Sequence, residues 1–421
     1  TNFSLQTKYG DGNKVKGLRG EKVYSEYKFL ENILDINVIF DNDIFVSTQL
    51  EYSSPPVFGE SVKGLNNFVI DYMTDEYSIK AGNLYTLYGR GLSLNMTQNQ
   101  NIDFDNSLVG IEAVYNYNDI SIFGLIGNSE FKYRSNPVNE IPNLQLNNKV
   151  FFIGSEIFTE NLGTVLISYL DQVSEMSEED IVEYWSSTLF DAGEDLFLRY
   201  PDIEPQGDDN LETKDLNFGW NYHLFGVDFY IEKVWNTYTR ILGDTEYGSK
   251  LYASLYFDIG GTGITYEYKN YDQKYFIPTL SGAPIVYMEG NSTLASRNSH
   301  SINWGDEVGH QIELNRSIGS LNWLGNLSFS HKHDIEDESS NFINTTLNVI
   351  GYDKSIENYT LYPFRQFFSE LSGYVLDEKF YFKFGIDQLD KVKKDYGTLF
   401  LSTSAYTVPT MFTLNLGSGN S

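Results

Sequence analysis

Phe225-Gly226-Val227-Asp228-Phe229-Tyr230-Ile231-Glu232-Lys233-Val234-Trp235 alternates without a break. Phe225, Val227, Phe229, Ile231, Lys233 and Trp235 form one mostly oily face; Gly226, Asp228, Tyr230, Glu232 and Val234 form the other. A period of two belongs to a β-strand with one apolar side and one wetter side. The pattern recurs in both directions along the chain. Residues 44–52 set Ile44, Val46, Thr48, Leu50 and Tyr52 against Phe45, Ser47, Gln49 and Glu51, and residues 251–258, 323–330 and 379–387 divide in the same way.

The connections alternate as well. Short turns are expected near 40–44, 74–76, 116–119, 159–163, 223–226, 258–263, 317–320 and 376–379, with longer stretches at 53–65, 128–148, 173–211, 236–248, 272–309 and 332–361. Short turns on one side and long loops on the other are the layout of an outer-membrane barrel. A soluble sandwich or propeller would alternate too. Two features separate the readings: strand segments of about 9–11 residues match a tilted bilayer crossing rather than a soluble strand, and the oily faces end in Tyr52, Tyr169, Trp235 and Tyr268, as interfacial girdles do. The expected fold is all-β, a single-chain antiparallel transmembrane β-barrel of about 18 strands (16–20). It forms one domain over 1–421, with 173–211 and 272–309 as long extracellular loops. The location this implies is the outer membrane of a Gram-negative bacterium. Residues 1–30, 84–96 and 341–350 each fit a strand, a strand extension above the membrane or a piece folded into the lumen.

Composition narrows the function. The 421 residues carry 29 basic and 58 acidic side chains, a formal charge of −29, which excludes nucleic acid as a partner because little would neutralise phosphates. The absence of cysteine removes disulfides, thiolate metal sites and cysteine nucleophiles. No apolar run is long enough for a transmembrane helix, and a mean hydropathy of −0.34 does not argue against membrane strands, which average near neutrality. No charged-then-apolar leader opens the chain, so Thr1 reads as the start of a mature or trimmed protein.

Several short motifs carry a resemblance. Gly82-Asn83-Leu84-Tyr85 is followed by Gly89-Arg90-Gly91-Leu92 and by Asp105-Asn106-Ser107-Leu108-Val109-Gly110. Further on come Tyr266-Glu267-Tyr268-Lys269-Asn270-Tyr271, Thr293-Leu294-Ala295-Ser296-Arg297-Asn298-Ser299-His300, Asp306-Glu307-Val308-Gly309 and Tyr362-Pro363-Phe364-Arg365. In this order they resemble an uncharacterised outer-membrane β-barrel family of Bacteroidota, known as a domain of unknown function. The resemblance implies fold and location and assigns no activity or catalytic residues. Such barrels usually close on a strand ending in an aromatic residue. This chain ends Leu414-Asn415-Leu416-Gly417-Ser418-Gly419-Asn420-Ser421, so either the last strand is 410–416 with a short tail or the end is trimmed.

Chemistry is sparsely signalled. Residues 174–215 hold fourteen acids against Arg199 and Lys214, a net −12, and Ser177-Glu178-Glu179-Asp180 reads as a helix cap before Ile181, Trp185 and Leu189. A cation or partner site competes there with a solvated charged lid, and clustered carboxylates suit calcium, though no ligand spacing is present. Asp334, Glu336, Asp337 and Glu338 repeat the theme. His331 and His333 would share a face on a strand, with Asp334 following, but exposed paired histidines at a strand end are commonplace. No nucleophile–base arrangement is marked, so no catalytic, metal or cofactor residue is assigned and no enzyme activity is expected. Gly89-Arg90-Gly91 lacks the strand–turn–helix context of a phosphate loop; it suits a strand kink or a plug segment in the barrel, with Arg90 pairing lumen carboxylates.

The inferred lumen lining is Glu51, Asp71, Lys80, Glu112, Glu156, Asp228, Glu232, Glu267, Lys269, Glu313 and Lys383, with Lys8 as a further cation. If water fills the interior, that surplus of carboxylates favours cations. The expected partners are outer-membrane lipid and lipopolysaccharide, and other outer-membrane proteins or lipoproteins. The long, aromatic, acidic loops point to a scaffold or binding subunit of an outer-membrane assembly. The alternative is a porin-like, cation-biased channel for small solutes.

Overall fold

The computed structural model describes residues 1–18, 21–40, 43–54, 61–99, 104–135, 142–176, 209–240, 245–272, 306–333, 363–376, 379–394 and 400–414. Alternating residues become strands throughout. The first five are β1 (Asn2–Leu18), β2 (Glu21–Phe40), β3 (Ile44–Ser53), β4 (Lys63–Met73) and β5 (Tyr77–Leu84). A two-stranded ribbon, β6 (Gln98–Asn99) and β7 (Phe104–Asp105), interrupts the series. It resumes with β8 (Leu108–Tyr117), β9 (Ile120–Ser135), β10 (Pro142–Thr159), β11 (Gly163–Met176), β12 (Asp209–Leu224) and β13 (Val227–Arg240). Then follow β14 (Thr245–Ile259), β15 (Thr262–Asp272), β16 (Asp306–Ile318), β17 (Leu321–His331), β18 (Phe364–Val375), β19 (Phe380–Lys394), β20 (Phe400–Thr407) and β21 (Thr410–Leu414).

Nineteen of these strands form one antiparallel sheet, each from β1 to β19 hydrogen-bonded to the next, with β5 joined directly to β8. β20 and β21 both pair with β19, on successive stretches, and are two pieces of one stave. The break falls at Val408 and Pro409; proline has no N–H to give to a ladder, although its carbonyl accepts from Gly385 at 2.8 Å. Joining the two pieces turns nineteen strands into eighteen staves, an even number. The expected final strand over 410–416 is thus only the last part of that stave.

The surface is inverted relative to a water-soluble protein. Ile111, Ile122, Ile126, Ile167, Leu216 and Phe384 lie exposed, while Glu232 and Lys269 are 0% exposed and Lys250 2%. Charged side chains are almost never fully buried unless paired, and an apolar outer band is the mark of a lipid-facing barrel wall. The protein is an outer-membrane-type β-barrel. The short turns sit together at one rim. Several use left-handed backbone, with φ of 58° at Asp43, 50° at Asn118, 50° at Phe225 and 57° at Leu376, the conformation of tight two-residue hairpins.

Strand lengths depart from the 9–11 residues expected. β2 has 20 residues, β10 has 18, and β9 and β12 have 16 each. Pairing therefore continues beyond what a bilayer needs, and the loops are shorter than the sequence suggested. Val173↔Glu212 through Met176↔Asp209 are ladder pairs, which corrects the loop at 173–211, and β16 already begins at Asp306, which corrects 272–309. Alternation persists there with polar residues on both faces, so no hydrophobic contrast marks it as strand. The acidic stretch's expected helix, Asp334, Glu336, Asp337, Glu338 and residues 341–350 lie outside the described residues.

Candidate functional site

The site grows from the excursion between β5 and β8. Residues 85–97 turn inward as a tight hairpin, closed by Met96 N–H to Thr86 O at 3.0 Å, the Leu87↔Asn95 bridge and Gly91 N–H to Tyr88 O at 3.1 Å. Gly89 and Gly91, at φ 63° and 81°, make its tip possible.

A glycine ladder opens the wall beside it. Gly82 pairs with Gly110 and Gly110 with Gly127 across β5, β8 and β9. A Cβ at Gly127 would lie 2.3 Å from the Leu108 side chain. The bare backbone lets Leu108 lie flat, and Leu94 and Met96 pack with it on Phe123, Leu125, Val150, Phe152, Leu166 and Leu170. Tyr88 stacks on Phe123 and Phe152, and Leu92 packs with Val234, Tyr252 and Tyr271. The inner face of β8–β11 is thus apolar where the hairpin lies, a correction to the expectation of polar residues at every inward position. The physical reason is that this patch is a protein core, not a water boundary.

Three wall carboxylates hold the hairpin. Glu112 on β8 accepts from Thr86 Oγ1 at 3.1 Å and Tyr88 OH at 2.8 Å, with Lys80 Nζ 3.5 Å away. Asp215 on β12 accepts from Ser93 Oγ at 3.2 Å and from Asn236, with Lys250 Nζ at 3.8 Å. Glu232 on β13 accepts the Arg90 main-chain N–H at 2.6 Å, Tyr230 OH at 2.6 Å and Asn217 Nδ2 at 2.9 Å. Burial first, then the neighbouring Glu112 charge, push the Tyr88 phenol well above its ordinary range, so it stays protonated and donates. The Arg90 guanidinium lies 5.0 Å from the Tyr230 ring centre. The expectation that Arg90 would pair its side chain with lumen acids is corrected: it is its backbone that meets Glu232.

The remaining sequence-derived residues are placed as follows. Glu51 accepts from Asn66 at 2.8 Å and Asp71 from Ser78 at 3.3 Å. Lys269 faces Glu307 at 3.0 Å and Lys383 faces Glu370 at 3.1 Å, while Lys8 meets Glu31 at 2.8 Å. Glu267 accepts from Tyr252 OH. Glu156 lies on β10 within electrostatic reach of Tyr88, and Glu313 is paired in register with Thr265 and Asn326. Asp228 sits near the short-turn rim, 2.6 Å from His223 Nδ1, away from the hairpin. β17 ends at His331, so His333 lies past the strand and meets Asn270 instead, a correction to the shared strand face. Among the described residues no group of three or more His, Asp or Glu could hold a metal ion.

Sequence reasoning missed Asp215, Asn217, Lys250, Glu307 and Glu370. Lys250 shares parity with Tyr252, so starting that strand one residue earlier would have found it. Asp215 was counted with the acidic stretch 174–215 and so kept out of the lumen lining.

No family model and no curated protein matches the chain. Solved structures do. The BenF-like porin from Pseudomonas fluorescens Pf-5 covers 98% of each chain at 8% identity and a TM-score of 0.45. The outer membrane protein opdK from Pseudomonas aeruginosa gives the same coverage, identity and score. OccK11 (OpdR) from Pseudomonas aeruginosa covers 98% of this chain and 94% of its own, at 9% identity and 0.43. The scaffold or binding-subunit expectation is corrected here. The similar structures carry the names of a porin and an outer membrane protein, and none that of a scaffold.

Proposed function

We propose that the protein is a channel for small solutes in the outer membrane of a Gram-negative bacterium, biased toward cations, with the 85–97 hairpin narrowing its lumen. The carrying observation is the charge balance of the inner wall. Lys8, Lys80, Lys250, Lys269 and Lys383 each face one carboxylate, at Glu31, Glu112, Asp215, Glu307 and Glu370. Asp71, Glu267 and Asp387 are left accepting from neutral donors, at Ser78, Tyr252 and Gln366. A ring of surplus carboxylates in a wet pore raises the local cation concentration. The exposed apolar band supports outer-membrane lipid and lipopolysaccharide as its surroundings.

The test is planar-bilayer recording of the purified protein. Stable ohmic steps with a reversal potential displaced toward that of the cation in a salt gradient support the reading; silence, or anion selectivity, overturns it.

A further inference from the structure

The tip of the hairpin presents a cation in an acidic lumen, and the way it is built assigns it a task. Gly89 and Gly91 bend the backbone so that the Arg90 N–H reaches Glu232 at 2.6 Å. That carboxylate is filled by three donors, from Arg90, Tyr230 and Asn217. Glu232 therefore spends itself on the Arg90 main chain and leaves the side chain alone. The guanidinium is exposed to the lumen and lies over Tyr230 at 5.0 Å. Among the described residues it makes no ion pair and no side-chain hydrogen bond. Tyr230 leans on Tyr252, with ring centres 6.1 Å apart, and Tyr252 donates to Glu267. Glu313 stands on the next strand, opposite Thr265.

The wall thus shows, in order, a cation, the Tyr230 ring and two carboxylates, with Tyr252 buried behind them. Arg90 rests above β13 and Glu267 stands on β15, two strand spacings apart, or roughly 10 Å along the wall. We propose that this is a solute subsite for small zwitterions. The solute's carboxylate meets Arg90, its ammonium meets Glu267 and Glu313, and its carbon chain crosses the face of Tyr230, which Tyr252 backs from beneath. Plain anions of the same size find one favourable group and a surplus of repelling ones. Arg90 is in this view the residue that sets which solutes pass, and the inference rests on the channel reading above.

Liposome swelling with the whole protein tests it, using the zwitterion 4-aminobutyrate, the neutral polyol erythritol and the anion butyrate as probes. The expected result is a zwitterion rate above that of erythritol, with butyrate slowest. Arg90→Gln should cut the zwitterion-to-erythritol ratio about two- to fivefold, the worth of one exposed ion contact. Arg90→Lys should restore part of the ratio. Equal ratios in the wild type and Arg90→Gln overturn the subsite and leave the channel standing. Absence of swelling with erythritol itself, together with silent bilayers, sinks the channel reading and takes the subsite with it.

Discussion

At the scale of single residues, Gly89 is the constraint that seats the hairpin tip. A Cβ there would sit 2.7 Å from Glu232 Oε2, and φ is 63°. Gly89→Val combines a clash with left-handed backbone that a branched residue resists by roughly 1–2 kcal/mol or more. The tip should lose its seat on Glu232, and single-channel current should become larger and noisier; a wild-type trace would count against the tip as a constriction. Tyr88 supplies a pH dependence. Its phenol is held above the ordinary value of 10.0 by burial and by Glu112. The stabilisation it lends is therefore fully present below about pH 10 and fades as pH rises beyond it. Current noise should increase above about pH 10 in the wild type, and the increase should be smaller in Tyr88→Phe.

At the scale of elements, the two edges of the sheet are β1 and the broken stave β20–β21. Among the described residues no ladder joins them. Hydrocarbon offers their backbone groups no partner, and eighteen staves bring first and last into antiparallel sense, so in the membrane they should pair. The chain has no native cysteine to confuse the test. A cysteine at Leu5 combined with single cysteines over Thr410–Leu414 should cross-link at one or two positions on oxidation; none at any position would mean an open seam. This is also the scale at which the sequence was most and least informative. Alternation at 225–235 or 44–52 is visible because one face is greasy and one is not, and turns such as 223–226 and 258–263 announce themselves. The hairpin at 85–97 was harder to read. Leu92, Leu94 and Met96 alternate like a strand, but they bury themselves on other inward residues, and nothing local distinguishes lipid from a packed lumen. The upper halves of β9 and β10 were read as loop although Phe131 and Tyr133, and Leu144 and Leu146, alternate there with polar residues, while the Glu232 clamp joins residues 142 positions apart and has no local signature.

At the scale of the whole molecule, the apolar exterior requires an amphiphile. The purified chain should stay monodisperse only in detergent, and should migrate faster on a denaturing gel before boiling than after, as the closed wall resists unfolding. Loss of that mobility difference in the presence of intact protein would argue against a barrel. Because the hairpin is tied to β8, β12 and β13 through Glu112, Asp215 and Glu232, its removal should alter conduction more than it alters the mobility of the unboiled form.

The overlong strands have one more effect. A bilayer is crossed in about ten residues, and β10 has 18. On that flank the wall must stand above the lipid like a half-chimney, while β3, β4, β5 and β8, of 8 to 11 residues, stop near the membrane surface. Such a wall shields one side of the mouth, and it adds less electrical resistance than a full tube of that height would.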